Sequence, residues 1–552
     1  MKKMWWKEAI GYQIYPRSFK DSNGDGIGDI KGVISKLDYL EELGIDLIWI
    51  CPVYESPNDD NGYDISDYQN ILKDFGDMVD FDLLMEEVHK RDMKLIIDLV
   101  INHTSDEHKW FIESKSSKNN PKRDWYIWKS SEDNKEPNNW ESIFKGSVWE
   151  YDENTDEYYM HLFTKKQPDL NWENKEVREE LYKMINWWLD KGIDGFRVDA
   201  ISHIKKEEGL KNIESEDDSE YVPSFEKHMN VPGIHDFLKE LKEETFAKYD
   251  IVTVGEANGV SADEADMWVG EDNGKFSMVF QFEHLDLWNN ENDSKFSAKE
   301  CKEILTRWQQ GLEGVGWNAL FIENHDITRA VSTWGNDTDY WRESATALAL
   351  MYFMQKGTPF IYQGQEIGMT NVRYDSVDKY DDVKCINEYR DKVVSGISEE
   401  EALKVLRATS RDNSRTPMQW DDSKNAGFTC GEPWIEVNSN YENINVRREK
   451  DDNNSILNFY KKMIKLKKDN LALIYGVYEL ILEDDDFIYA YTRTLEDEKY
   501  IIITNLSPND VNYSYDNTLK FNNLLINNYE VSEHDDINEF VLKPYECRMY
   551  KL

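Results

Sequence analysis

The chain runs to 552 residues, too long for one ordinary hydrophobic core, so one large domain with insertions and at least one satellite domain is expected. Acidic residues outnumber basic ones by 109 to 65, and the net charge of −44 would repel phosphate backbones and anionic membrane surfaces, which excludes nucleic acid and lipid as partners. Aromatic residues at 13%, with 19 Trp, exclude a disordered acidic chain.

The start, MKKMWWKEAIGYQIYPRSF, has no apolar h-region and no small-residue cleavage site. No later stretch reaches the ~18 apolar residues of a membrane span. The chain therefore reads as cytoplasmic. Its five cysteines (Cys51, Cys301, Cys385, Cys430 and Cys547) are odd in number, scattered and never spaced as CxxC, against a disulfide framework or a zinc site.

In chain order, short β-rich apolar runs recur, each followed by an amphipathic stretch: AIGYQIY (9–15), DLIWIC (46–51), KLIIDLV (94–100), GIDGFRV (192–198), IVTVGE (251–256), MVFQF (278–282), ALFIEN (319–324) and PFIYQG (359–364). Residues 30–43 and 177–190 show helical spacing. Strands alternating with helices imply a parallel sheet, and the absence of GxGxxG after the first strand favours a closed (β/α)8 barrel over an open doubly wound sheet. The gap after the third strand, 104–172, is far longer than a βα unit needs and reads as an inserted domain, splitting the barrel into 1–103 and 173–474. From 475 to 552 the pattern becomes alternating strands (GVYELIL, FIYAYTR, KYIIITNLS, YECRMYKL) with few helical signals, as in an antiparallel β-sandwich domain.

Charged residues gather where the barrel strands end. In DGFRVDA, Arg197 and Asp199 alternate on a predicted buried strand, so both point the same way. Alone this could be a structural ion pair, but an adjacent guanidinium also favours an ionised carboxylate of the kind a nucleophile requires. VGEAN places Glu256 at the equivalent depth on the next strand. Two facing carboxyls are the arrangement for cleaving a glycosidic bond. FIENHDITR adds His325 and Asp326, and DLVINHTS adds Asp98, Asn102 and His103.

The ordered segments DLVINH, GFRVDAISH, GEAN and FIENHD, with QIYPRSF, QPDLNW (167–172) and SRDNSRTPMQW (410–420), resemble end to end the α-amylase clan, glycoside hydrolase family 13, and within it the oligo-1,6-glucosidase and α-glucosidase group. The resemblance implies the barrel, the inserted domain and the C-terminal sandwich. It also implies an exo-acting retaining enzyme that releases glucose from short α-gluco-oligosaccharides, acting on isomaltose-type bonds with α-1,4 and sucrose-type bonds as further candidates. Asp199 would be the nucleophile, Glu256 the acid/base, and Asp326 the carboxylate that binds the distorted sugar. His103, Arg197, His325, Phe163, Gln167 and Arg411 would contact substrate, and Asp60, Tyr63 and Arg415 would close the pocket, Arg415 pairing with Asp60. A trehalose-6-phosphate hydrolase or sucrose isomerase of the same clan is the nearest alternative, and a catalytically inactive carbohydrate-binding or transport-accessory relative the alternative from another class. A phosphosugar would need basic groups, and the pocket segments offer Arg329, Arg411 and Arg415.

The chain departs from the group at Ala200, where oligo-1,6-glucosidases typically carry Val, and at Ile327 and Thr328, where Gln-Pro is common; these three are the expected specificity positions. The run DSNGDGIGD sets oxygen donors at Asp21, Asn23, Asp25, the Ile27 carbonyl and Asp29, with Gly26 at the sixth position of an EF-hand-like loop but Gly32 at the twelfth. An isolated Ca²⁺ loop, as in this glycosidase group, is expected, with no organic cofactor; the oligomeric expectation is a monomer or weak oligomer.

Overall fold

The computed structural model of the chain describes residues 2–130, 135–215, 219–288, 296–515, 523–531 and 538–552. Eight short strands carry the architecture: β1 (Gly11–Ile14), β2 (Leu47–Ile50), β3 (Lys94–Val100), β4 (Gly195–Asp199), β5 (Val252–Glu256), β6 (Met278–Phe280), β7 (Ala319–Leu320) and β8 (Thr358–Tyr362). They form one sheet in the order β6-β5-β4-β3-β2-β1-β8-β7, the strand succession of a (β/α)8 barrel. Neighbours are parallel, with Phe196 beside Ile97, Gly195 beside Val252 and Gly11 beside Phe360. Burial on both faces explains why these strands read as unbroken apolar runs: β3 is buried from Leu95 to Val100 and β4 throughout.

The chain packs as two compact units, one of Met1–Ile48, Lys90–Met93 and Phe282–Leu552, the other of Trp49–His89 and Lys94–Gln281. The second unit holds β3 to β6 and the inserted segment. That insertion is a small antiparallel sheet in which Glu157–Met160 lies between Trp128–Lys129 and Trp149–Asp152. Its core of Trp140, Val148, Trp149, Met160 and Leu162 also takes in Leu210 and Ile213, so the connection after β4 helps to hold it. The helix expected over 177–190 spans Lys175–Lys191; the Asn174 side chain caps its start and Gly192, at φ 108°, its end.

In the first unit, the helix expected over 30–43 divides into Ile30–Ile34 and Leu37–Leu43. Ser35 is one reason, because its hydroxyl bonds back to the Gly32 carbonyl at 2.6 Å. β7 is only two residues long, and four residues beyond it Asn324 accepts the Asp326 amide at 2.8 Å in a turn. The C-terminal strands pair antiparallel: Val477–Ile481, Ile488–Leu495, Glu498–Asn505, Cys547–Lys551 and Asn523–Asn527. A second layer, Val511–Ser514 with Glu539–Leu542, shares a core with them through Tyr513, Phe540 and Leu542.

Candidate active site

In the second unit, three acidic side chains meet on one guanidinium. Arg197 donates through Nη1 to Asp98 Oδ1 at 2.5 Å and to Asp199 Oδ1 at 2.6 Å, and through Nη2 to Glu256 Oε2. Strand register brings them together, because Arg197 lies beside Asp98 on β3 and Val254 on β5, with Asp199 and Glu256 ending their strands. The arginine is 4% exposed and sits 5.1 Å from the Trp49 ring. Trp49 Nε1 also donates to Asp98 Oδ2 at 2.8 Å, which orients the acid behind the arginine.

Three carboxylates facing one cation leave an excess of negative charge in a water-poor place. Burial, opposed by Arg197 and reinforced by the charges of Glu256 and Asp98, holds the Asp199 carboxyl well above the usual carboxylate range. Ala200 follows in the left-handed region (φ 44°, ψ 32°) and donates its amide to Glu256 Oε2 at 3.2 Å.

His103 is the second focus of this unit. Asn102 Nδ2 approaches its Nδ1 at 3.2 Å, while the Tyr63 carbonyl and Gln167 Nε2 approach its Nε2 at 3.1 and 3.2 Å. Burial lowers its pKa more than the nearby charges of Asp169 and Asp60 raise it, so the ring is held neutral. Gln167 Nε2 reaches Asp60 Oδ2 at 3.2 Å, and the Phe163 ring lies 5.0 Å from His103. Tyr63 is buried with its hydroxyl 3.5 Å from Asp98. The expected residues Asp60, Tyr63, His103, Phe163 and Gln167 thus form one connected set.

Sequence reasoning missed Lys206, which pairs with Asp169 at 2.6 Å and donates to Asn102 Oδ1 at 3.0 Å, tying the β4 connection to the loop that carries His103. Asp169 lies inside QPDLNW, but nothing around Lys206 marks it as the partner.

In the first unit, Asp326 is the exposed member of a buried cluster. Its side chain is 40% exposed and accepts from Arg415 Nη2 at 2.7 Å and Arg411 Nη1 at 3.4 Å, with His325 Nε2 3.0 Å away. Burial works against its charge, but His325, Arg415 and Arg411 outweigh it and hold the carboxyl well below its usual range. Gln13 Nε2 lies 2.8 Å from His325 Nδ1, so an amide donating there leaves the ring proton on Nε2, facing Asp326. Arg415 is also anchored through Nε to the His325 carbonyl at 3.0 Å, and Arg411 to Asp382 at 3.0 Å. The expected partners Asp60 and Arg415 belong to different units.

One sequence expectation changes here. Arg329 is fully buried against Glu323, 3.3 Å away, so it is no pocket-lining cation. Thr328 is buried with its hydroxyl on Thr333 at 2.7 Å, whereas Ile327 is half-buried.

The 21–29 loop is oxygen-rich, and its side chains brace its own backbone. Asp21 accepts the amides of Asn23, Gly24 and Gly26 at 2.9, 2.7 and 2.9 Å, and Asp25 accepts that of Ile27 at 2.9 Å. Asp29 caps the following helix at Gly32 (2.6 Å) and binds Ser22. The donors, all oxygen, suit a hard cation such as Ca²⁺. Among the described residues, no group of three or more His, Cys, Asp or Glu is arranged to hold a metal.

Comparison with known proteins gives the same family. The family model described as alpha amylase, catalytic domain, matches residues 13–476. The probable oligo-1,6-glucosidase 3 of Bacillus subtilis is 57% identical over 551 residues, covering 100% of both chains, and the oligo-1,6-glucosidase of Parageobacillus thermoglucosidasius is 53% identical with the same coverage. The crystal structure of Bacillus licheniformis trehalose-6-phosphate hydrolase superimposes with a TM-score of 0.93 at 44% identity and 100% coverage of both chains. With its eight-stranded parallel sheet and paired strand-end carboxyls, the chain belongs to the alpha-amylase family of glycoside hydrolases.

Proposed function

We propose that the chain is an exo-acting, retaining α-glucosidase that removes glucose from the non-reducing end of short α-gluco-oligosaccharides, isomaltose-type α-1,6 bonds first among them. The observation that carries this reading is the grip of one guanidinium, Arg197, on both Asp199 and Glu256, which sets a pair of acids at neighbouring strand ends, the equipment of glycoside cleavage. Asp199 attacks the anomeric carbon as Glu256 gives its proton to the leaving oxygen. Water then opens the glucosyl ester while Glu256 takes a proton back, and Asp199 leaves as carboxylate. In the second unit, His103 and Arg197 bind sugar with Asp60 and Tyr63 beside them, and Ala200 adjusts linkage; in the first, Asp326 and His325 bind sugar hydroxyls, with Arg415 holding Asp326 and with Ile327 and Thr328 adjusting linkage.

Identity supports the 1,6 reading, because relatives named oligo-1,6-glucosidase stand at 57% and 53% while the trehalose-6-phosphate hydrolase of Bacillus subtilis stands at 44%. A phosphate clamp finds little support, since Arg329 is tied to Glu323 and Arg411 to Asp382. The 21–29 loop is proposed to take one Ca²⁺ with a structural role. A reducing compartment, the cytoplasm, is proposed on five free thiols, four of them buried. The test is kcat/KM measured side by side on isomaltose, maltose, sucrose, trehalose 6-phosphate and soluble starch. Isomaltose should lead and starch should lag; a lead for trehalose 6-phosphate, or rapid loss of starch viscosity, overturns the proposal.

A further inference from the structure

We infer that Glu323 and Arg329 form a buried clasp that positions Asp326, so that two residues outside the sugar contacts govern how the enzyme holds its substrate. This rests on the reading of Asp326 as a sugar-binding carboxylate. Glu323, 4% exposed, stands where β7 gives way to the loop, and its carboxylate accepts the Ala330 amide at 2.6 Å and Arg329 Nη1 at 3.3 Å. The pair closes the neck of the loop 324–328, which bears His325, Asp326, Ile327 and Thr328.

Arg329 reaches further than a loop closure needs. It donates to the Gln363 carbonyl just past β8 at 2.8 Å and to the Ser414 carbonyl at 3.2 Å, and its own amide binds Asn371 Oδ1 at 2.8 Å. Ser414 precedes Arg415, whose Nη2 meets Asp326 at 2.7 Å. One fully buried guanidinium therefore fixes both the loop that presents Asp326 and the segment that presents its strongest cationic partner. A charged pair in a dry interior is costly to place and stays only where hydrogen bonds compensate it, so shifting it moves whatever hangs from it.

The groups facing Glu323 are Arg329, the tyrosines Tyr352 and Tyr460, and a second buried acid, Glu366. Glu366 is held by the Tyr12 and Tyr39 hydroxyls at 2.8 and 2.7 Å and by the Gly364 amide at 2.9 Å, away from the Asp326 loop. Burial foremost, opposed by Arg329 and aided by Glu366, pushes Glu323 up to about 7. The clasp therefore loosens as pH falls through neutrality and Glu323 takes up a proton.

The test compares Glu323→Gln, Arg329→Lys and Glu366→Gln with the unaltered enzyme on isomaltose and on an aryl α-glucoside. Glu323→Gln should raise KM and lower kcat/KM by roughly ten- to a hundredfold, the scale of a misplaced binding group. Its pH–rate profile should lose the inflection near neutrality, while Glu366→Gln should move that inflection to lower pH and leave the limiting KM and kcat unchanged. If Glu323→Gln does not fold, Arg329→Lys carries the test, because it keeps the ion pair but loses the reach to Ser414, and KM should again rise. Unaltered KM, kcat and pH profile in the variants that fold would overturn the inference, as would matching kinetic changes in Glu366→Gln. Asp326→Asn separates the two ideas: if it retains full activity, the reading of Asp326 itself is wrong, whereas an inactive Asp326→Asn beside kinetically normal clasp variants removes only the clasp.

Discussion

The backbone amide of Ala200 donates to Glu256 Oε2 across 3.2 Å, from a residue in left-handed conformation immediately after Asp199. The turn that ends the strand of the proposed nucleophile thus also holds the second carboxyl. A β-branched side chain is strained in this region. Ala200→Val should therefore cost ~1–3 kcal/mol of stability. It should also narrow the enzyme towards α-1,6 bonds by about ten- to a few hundredfold, because one or two methyls in a pocket are worth ~1–3 kcal/mol of discrimination. The measurements are Tm and the maltose to isomaltose ratio of kcat/KM in both proteins; an unchanged ratio would assign linkage choice to Ile327, Thr328 or the inserted segment.

Asp199→Asn should abolish turnover and leave a protein at least as stable as the original. Three carboxylates share one guanidinium, so neutralising one relieves repulsion; a gain of about 0.5–2 kcal/mol is expected, as when a strained active site is relaxed. The pKa of Asp199 is raised by burial, so its folded form favours the proton; the stability that proton brings is present at low pH and lost as pH rises through the raised value. The advantage of the Asn variant should accordingly grow with pH. Activity runs the other way, falling as pH drops and the nucleophile is protonated. Thermal melts across pH for both proteins, with the acid limb of kcat/KM, check both statements.

Arg197→Lys is not conservative here. An ammonium cannot reach Asp98, Asp199 and Glu256 together, which leaves buried acid unpaired. Turnover should fall by more than about a hundredfold, and stability by roughly 3–5 kcal/mol, the usual cost of breaking a buried pair. Near-normal kcat would show that the arginine only fills space.

Chelation should lower Tm by a few degrees and leave the initial rate nearly unchanged, because the 21–29 loop lies outside the carboxylate set and its own hydrogen bonds brace it. Immediate loss of rate in folded protein would mean a catalytic metal. Gly26→Ala should be severely destabilising with or without Ca²⁺, since its φ is 94° and an added Cβ would stand 1.8 Å from the Glu432 carbonyl oxygen.

The barrel strands were legible because burial on both faces writes them as apolar runs, and charged residues inside such runs, Asp98, Arg197 and Asp199, stand out for the same reason. The catalytic candidates could be named from strand ends alone. Less legible were contacts joining distant segments. Arg329 looked like a pocket cation because it follows the His-Asp pair, yet its partner Glu323 lies before the loop, and only the turn at Asn324 brings the two together. Lys206 carried no local signal for its bond to Asn102. The break after Ile34 was hidden because the apolar spacing of 30–43 continues across Ser35, whose back-bond to Gly32 leaves no mark on periodicity.

The pairing of β1 with β8 sets an order of events during synthesis. On the side away from β2, Gly11 finds its neighbour at Phe360, and the 21–29 turn finds Phe428 and Trp434, to which it bonds at Asp21 and Gly26. At ~5–20 residues per second, β1 waits roughly 20–70 s on the ribosome for β8, although β2, its other neighbour, is made early. The segments around β3, β4 and β5 can meet far sooner, since Arg197 needs only Asp98 behind it and Glu256 shortly ahead. The proposed catalytic acid cluster can therefore assemble while one edge of β1 is still unpaired, and the late-made stretch from 358 to 434 secures that edge last.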